Sequence, residues 1–317
     1  MSSSDAFLTS LQSIQTNLFR IGGPILLVFG VINCVISLIV FTQKNLRKSP
    51  CSIYLIAANV VNLLYITLSV LFLILTTGYG IDVFGSNLFM CRFYYYTSYV
   101  LDILSPFYLI LASIDRVLVT SSNARTRQRS TPRLAYICIG CGTLFWMLFH
   151  CHILFLTDIQ EIAPGYFTCY FRAGSYVVFM SYYSLFVKAT TVPLLMIIFG
   201  IWTAKNIRKV RQRRIAPIIT NTGNTAQKSE NPFNSKDRQF VLMVVVDICI
   251  YIACNAMVSV VIIYYQIVQN IGFTQISIFL HLVGTFLFEI SFCTGCYAYL
   301  FVSKTFRKEV KRVFFCQ

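Results

Sequence analysis

"YVLDILSPFYLILASIDRVLVTSS" (residues 99–122) runs almost without charge until Asp115 and Arg116 arrive side by side. An apolar helix of about 20 residues crosses the roughly 30 Å of hydrocarbon in a bilayer. A chain in lipid must satisfy its backbone hydrogen bonds internally, which favours a helix. The charged pair then marks a membrane face. There the two charges neutralise each other and can still part to bind a partner; the plainer reading is an arginine snorkelling to the interface.

The same pattern recurs along the chain. Apolar spans fall at about 21–42, 52–76, 90–119, 134–156, 176–204, 239–267 and 274–301. Only 12% of residues are charged and 57% are hydrophobic, with mean hydropathy +0.70, whereas a soluble domain carries about a quarter charged residues. The expected fold is an all-α membrane protein, a seven-transmembrane helix bundle. Repeats and low-complexity stretches are absent.

The net charge of +15 raises nucleic acid as a partner, but the bases sit between apolar runs, so the lipid bilayer is the expected partner and nucleic acid is not. Of the 26 Lys and Arg, 22 flank alternate span ends, with the largest group between residues 205 and 238. Arg20, Arg92, Arg172 and Lys188 fall on the other side. The positive-inside rule places the N-terminus outside the cell and the C-terminus in the cytoplasm.

The expected organisation is an extracellular N-terminal tail over 1–20, the membrane domain over 21–302, and a cytoplasmic amphipathic helix and tail over 303–317. The N-terminal stretch lacks a basic leader before a short apolar core, so no removable signal peptide is expected. Residues 213–237 are polar and read as a cytoplasmic loop. In "SKTFRKEVKRVFFCQ" (303–317), Phe306, Val310 and Phe314 share one helix face and the bases another, which suits a short eighth helix along the inner surface. Cys316 is a lipidation candidate, or an unmodified thiol.

Several further residues stand in a characteristic order: Asn33 in the first span, Asp115-Arg116-Val117 ending the third, Trp146 in the fourth, Pro193 in the fifth, Tyr299 in the seventh and "SKTFRKE" (303–309) after it. With these markers the chain resembles a divergent rhodopsin-like (class A) G-protein-coupled receptor, of the neuropeptide-receptor kind, over nearly its whole length. The resemblance implies that Asp115 restrains Arg116 at rest. On activation the sixth helix swings out and Arg116, with Val117 and Tyr299 nearby, meets a heterotrimeric G protein. It also implies a disulfide between Cys91 and Cys169, both on the oxidising side. Asn33, Asn62, Ser105, Trp146, Pro193 and Cys254 take structural places.

The chain departs from the family at several points. Asn62 stands where the second helix carries an Asp, so an internal sodium site that would also use Ser105 loses its main charge. The sixth-helix Cys-Trp-x-Pro motif reads Cys254-Asn255-Ala256-Met257, and the seventh-helix Asn-Pro-x-x-Tyr reads Gly295-Cys296-Tyr297-Ala298-Tyr299. Pro106 replaces an aliphatic residue.

Charges inside a membrane are costly and mark function. Counting up from Arg116 puts Ser98 and Asp102 toward an outward-facing pocket; counting up from Tyr299 adds Glu289. Two acids in an apolar cavity suit a cationic peptide, with Tyr94, Tyr95, Tyr96, Tyr99, Tyr182, Tyr183, Tyr264 and Tyr265 as aromatic faces for a cation. Alternatively the acids are protonated or bonded to Ser, Thr and Tyr neighbours. Asp247 either pairs near the coupling face or bonds within the bundle. His150 and His152 point apart on a helix, so no metal is expected; nor is any cofactor. No hydrolytic or phosphate-binding motif is present, so no enzyme activity is expected. The expected function is a plasma-membrane receptor for an extracellular peptide ligand that activates a G protein. A chemosensory receptor for a small molecule is the alternative. A transporter or channel would call for a line of facing charges or broken helices in two halves, and the sequence contains neither.

Overall fold

The computed structural model describes residues 3–81, 84–121, 123–163, 166–215, 235–267 and 275–315. Cys316 and most of the polar stretch 213–237 lie outside the described residues. Among the described residues six helices are long and apolar enough to cross a membrane: Thr9–Phe41, Pro50–Gly78, Leu88–Val119, Pro132–Leu156, Ser175–Asn206 and Arg238–Tyr264. The seventh span is a pair, Phe279–Cys293 and Gly295–Val302, bent by 53°. The first helix begins at Ser3, so residues expected as a tail already belong to it.

The helix starts are local chemistry. Asn87 caps the third span by accepting from the backbone N–H groups of Phe89 and Met90, at 2.9 and 3.2 Å. Thr131 caps the fourth by accepting from Leu134 N–H. Pro50 and Pro132 open their helices, where a missing N–H costs nothing.

The distribution of polarity is that of a bundle in lipid. Large apolar side chains such as Phe29, Phe145, Leu148, Ile198 and Trp202 face outward, while Asn33, Asn59, Asp102, Ser105, Arg116 and Glu289 are buried. The third span is the central post: 67% of its apolar window is buried, against 11% for the fourth and fifth. At Gly142 a side chain would lie 2.2 Å from the Phe107 ring, so the glycine is what lets the fourth span approach the post this closely at that point.

The break in the seventh span is spliced by the first. Residue 294 interrupts the helix between Cys293 and Gly295, which strands backbone groups on both sides. Asn33 accepts from the N–H of Cys296 at 2.5 Å and donates to the carbonyl of Phe292 at 3.3 Å. One amide therefore serves both sides of the gap. Asn33→Ala leaves the N–H of Cys296 without its partner and the carbonyl of Phe292 with only the weak donor Cys34 Sγ at 4.0 Å, so unfolding free energy should fall by roughly 1–3 kcal/mol. Thermal unfolding of the purified chain in detergent measures this, and an unchanged midpoint would show that the break is held by other contacts.

One element was not expected: an antiparallel hairpin of β1 (Thr157–Ala163) and β2 (Tyr166–Phe171), with Ile159 opposite Cys169. The Cys91–Cys169 disulfide ties β2 to the top of the third span. Tyr95 donates to the carbonyl of Cys169, and Arg92 to that of Thr157. The disulfide spans 78 residues of chain, and a loop of this size constrains the unfolded state by about 4 kcal/mol. Cys169→Ser should lower stability by about that amount, and reductant should lower the wild-type midpoint equally. A midpoint unmoved by either treatment would mean the bond carries no stability.

The C-terminal helix Lys304–Phe315 docks through Phe306, whose ring meets Phe41 and Tyr299 at 5.6 and 5.3 Å. Asn45 donates to Glu309 at 2.9 Å, pinning the helix to the link after the first span.

Candidate functional site

Three polar layers line the third span. At the end away from the disulfide, Arg116 is 1% exposed. Its Nε donates to Asp115 Oδ2 at 3.1 Å and its Nη2 donates to the same oxygen. Ser130 donates to Asp115 Oδ1, which uses the second oxygen of the carboxylate. Phe240 of the sixth span lies under the guanidinium, 5.7 Å from ring centre to Cζ, a distance suited to cation–π attraction. Thr120 donates to the carbonyl of Arg116 and accepts from Asn206 of the fifth span. Arg116 is thus held by its neighbour and lidded by an aromatic ring. Val117 is buried beside it.

The middle layer is a cavity of about 30 Å³ lined by Asn33, Asn59, Asn62, Ser105, Asp247 and Tyr299 among others, about the size of one water. Ser105 donates to Asn62 Oδ1 at 2.5 Å. Tyr299 donates to Asp247, and Gly295 lies against both: a side chain there would come within 3.5 Å of the Tyr299 hydroxyl and of Asp247. Asp247 therefore bonds within the bundle. The acid absent from the second span is supplied to this layer by the sixth.

Toward the disulfide end lies a cavity of about 480 Å³, within the range of small-molecule sites. Tyr65, Tyr95, Tyr99, Tyr251, Phe171 and Phe288 form much of its wall, with Tyr170 of the hairpin above. Asp102 and Lys188 both line it and form an ion pair, in which Lys188 Nζ meets Asp102 Oδ2 and lies 4.4 Å from the centre of the Tyr99 ring. Asp102 is 5% exposed, and its Oδ1 has no hydrogen-bond partner among the described residues.

Both charges sit near irregular points of the backbone. Pro106 has no N–H to give the carbonyl of Asp102, four residues back, though the helix Leu88–Val119 continues through it. Lys188 sits inside a π-helical stretch, Ser184–Thr191, a form often found at functional sites. Thr190 and Thr191 donate to the carbonyls five residues back, Leu185 and Phe186, at 2.8 and 2.7 Å.

The sequence pattern of the family described as "7 transmembrane receptor (rhodopsin family)" matches residues 32–297. The chain belongs to this family. No curated protein matches it.

This rhodopsin-family receptor is accordingly a multi-pass plasma-membrane protein and a G-protein-coupled signalling receptor; the family is non-enzymatic as a kind and works between extracellular ligands and G proteins. Its sequence markers fall as follows. Trp146 packs on Phe107, with ring centres 6.2 Å apart, and its carbonyl contacts His150 Nδ1. Pro193 begins the α-helix that follows the π stretch. Cys254 is half-buried, and its neighbour Asn255 lines the large cavity. His150 and His152 bond separately to Tyr183 and Tyr176, at 2.9 and 2.7 Å.

Of the three expected ligand residues, Asp102 lines the cavity. Ser98 instead bonds to Ser69 at 2.8 Å, between the second and third spans. Glu289 is 2% exposed and is not among the lining residues. Two acids in one cavity were expected; Asp102 lines it and is matched by a base, while Glu289 is buried outside the lining, its Oε2 without a hydrogen-bond partner among the described residues. Lys188 is the residue that sequence reasoning missed, along with Tyr65, Tyr170 and Tyr251. Its signal was a lone base deep within an apolar span, counted among the outer flanking charges.

Proposed function

We propose that this receptor sits with its N-terminus outside the cell, takes an extracellular ligand into the 480 Å³ cavity, and in response frees Arg116 to a heterotrimeric G protein on the cytoplasmic side. One observation carries this reading: a single helix, Leu88–Val119, holds both Asp102 in the cavity and Arg116 in the latch. The two are about 21 Å apart at the α-helical rise. A ligand that alters the Asp102–Lys188 pair acts directly on the helix that carries the coupling residue. The small-molecule reading is favoured over the cationic peptide, because Lys188 already occupies the carboxylate that a peptide cation would use.

The test is nucleotide exchange. The purified chain in lipid vesicles should accelerate exchange on at least one class of heterotrimeric G protein, without ion flux. Flux with no exchange would replace the reading with a transporter or channel. Orientation is checked by antibody access to an N-terminal tag on intact cells, and access only after permeabilisation would reverse it.

A further inference from the structure

We propose that the large cavity takes an uncharged aromatic molecule bearing a hydrogen-bond donor, with the donor on Asp102 Oδ1 and the ring among Tyr95, Tyr99 and Tyr251. This rests on the receptor reading and specifies its ligand.

Two features of the lining select this chemistry. The first is charge. Asp102 and Lys188 are its carboxylate and ammonium, and they are paired with each other. A cation reaching Asp102 meets Lys188 at the same group, and an anion reaching Lys188 meets Asp102. Either must split a buried ion pair or bind beside a like charge, and both options are costly in a low-dielectric site. A neutral molecule leaves the pair intact.

The second is an open acceptor. Lys188 engages Asp102 through Oδ2, which leaves Oδ1 buried and unpartnered. A buried acceptor without a donor is a standing cost, and a ligand hydroxyl or amide N–H removes it. The acceptor is charged, so the bond is of the stronger class. Around it seven of the twenty lining residues are Tyr or Phe, with Tyr99 already committed on one face to Lys188. Tyr95 and Tyr251 supply further ring surface for edge or offset stacking.

The experiment uses four probes that share a phenyl ring and differ in charge: phenethyl alcohol, phenethylammonium, phenylacetate and the zwitterion phenylalanine. Binding to the full chain in nanodiscs is read as a shift in thermal unfolding. Phenethyl alcohol should bind at least about tenfold more tightly than the other three. Lys188→Met, which leaves Asp102 unpaired, should switch the preference to phenethylammonium. Asp102→Asn, which leaves Lys188 unpaired, should switch it to phenylacetate. If either variant fails to fold, the order among the four probes in the wild-type chain decides alone.

A wild-type preference for a charged or zwitterionic probe overturns the proposal, as does the absence of any shift. A shift with phenethyl alcohol that both folded variants leave unchanged marks partition into lipid and also overturns it. Nucleotide exchange is measured on the same preparation. Exchange that persists when the probe order fails removes the ligand class alone, whereas loss of exchange removes the receptor reading as well.

Discussion

Arg116→Ala abolishes nucleotide exchange on the G protein while leaving the ligand cavity able to bind. Among its contacts with described residues, Arg116 donates twice to Asp115 and lies over the Phe240 ring, and it is buried at the end of the third span that the proposed function assigns to the G protein. Donors of this kind contribute about 1.5–3 kcal/mol each when their partner is charged. Losing two of them at a partner's interface predicts a fall in exchange of roughly 100-fold or more. The substitution also leaves Asp115 buried with Ser130 alone, and an uncompensated buried charge destabilises by about 3–5 kcal/mol. Arg116→Lys separates the two effects. It keeps a positive charge beside Asp115, so the chain folds, but it lacks the planar fork of the guanidinium. Both variants should lose exchange, and only the alanine should lose substantial thermal stability. Exchange retained in Arg116→Ala would move the coupling site elsewhere on the inner face.

Asp247→Leu raises basal exchange. The Tyr299–Asp247 hydrogen bond joins the seventh span to the sixth, and under the proposed function an outward movement of the sixth span would break it. A contact made only in the resting arrangement biases the equilibrium by its own free energy. A hydrogen bond to a charged group at about 1.5 kcal/mol or more corresponds to at least roughly a tenfold gain in the active population. Tyr299→Phe should shift basal exchange in the same direction, and the double variant should add little to either single change, since both remove one bond. Exchange unchanged in all three would mean that the bond persists through activation.

The fold was legible because it follows from one solvent condition. Seven apolar runs, bases on alternate flanks and a self-neutralising Asp115-Arg116 pair are statements about lipid, and lipid leaves the backbone few choices. The Asp115–Arg116 contact was legible for a related reason, since the two residues are neighbours in sequence. The ligand end was not. Ser98 and Asp102 were placed by counting along an ideal helix from Arg116, and that helix is continuous over Leu88–Val119; what a count along one helix cannot show is that the second span covers Ser98 through Ser69. Glu289 was placed by counting from Tyr299, across the 53° bend between Cys293 and Gly295, and that interruption spoils the helical phase that such a count assumes. The Lys188–Asp102 pair joins residues 86 apart, and no local pattern announces it. The hairpin carries a two-residue alternation too short to stand out between longer apolar runs, and Asn33 reads as a lone polar residue until the broken seventh helix is set beside it.

The π-helical stretch Ser184–Thr191 has a consequence for how much length variation this region tolerates. Wide turns store extra chain, so the stretch sets the angular offset between the two halves of the fifth helix. Seven residues at the α spacing turn nearly as far as eight in wider turns, so removing one residue there would let the segment relax to α geometry and leave the outer half, Ser175–Tyr183, facing much as it does now. Met180 and Ser181 would go on lining the cavity, and Met196 and Thr203 would stay buried on the inner half. A single deletion among residues 194–203, where the helix is already α, has no such slack and would turn the whole outer wall by about 100°.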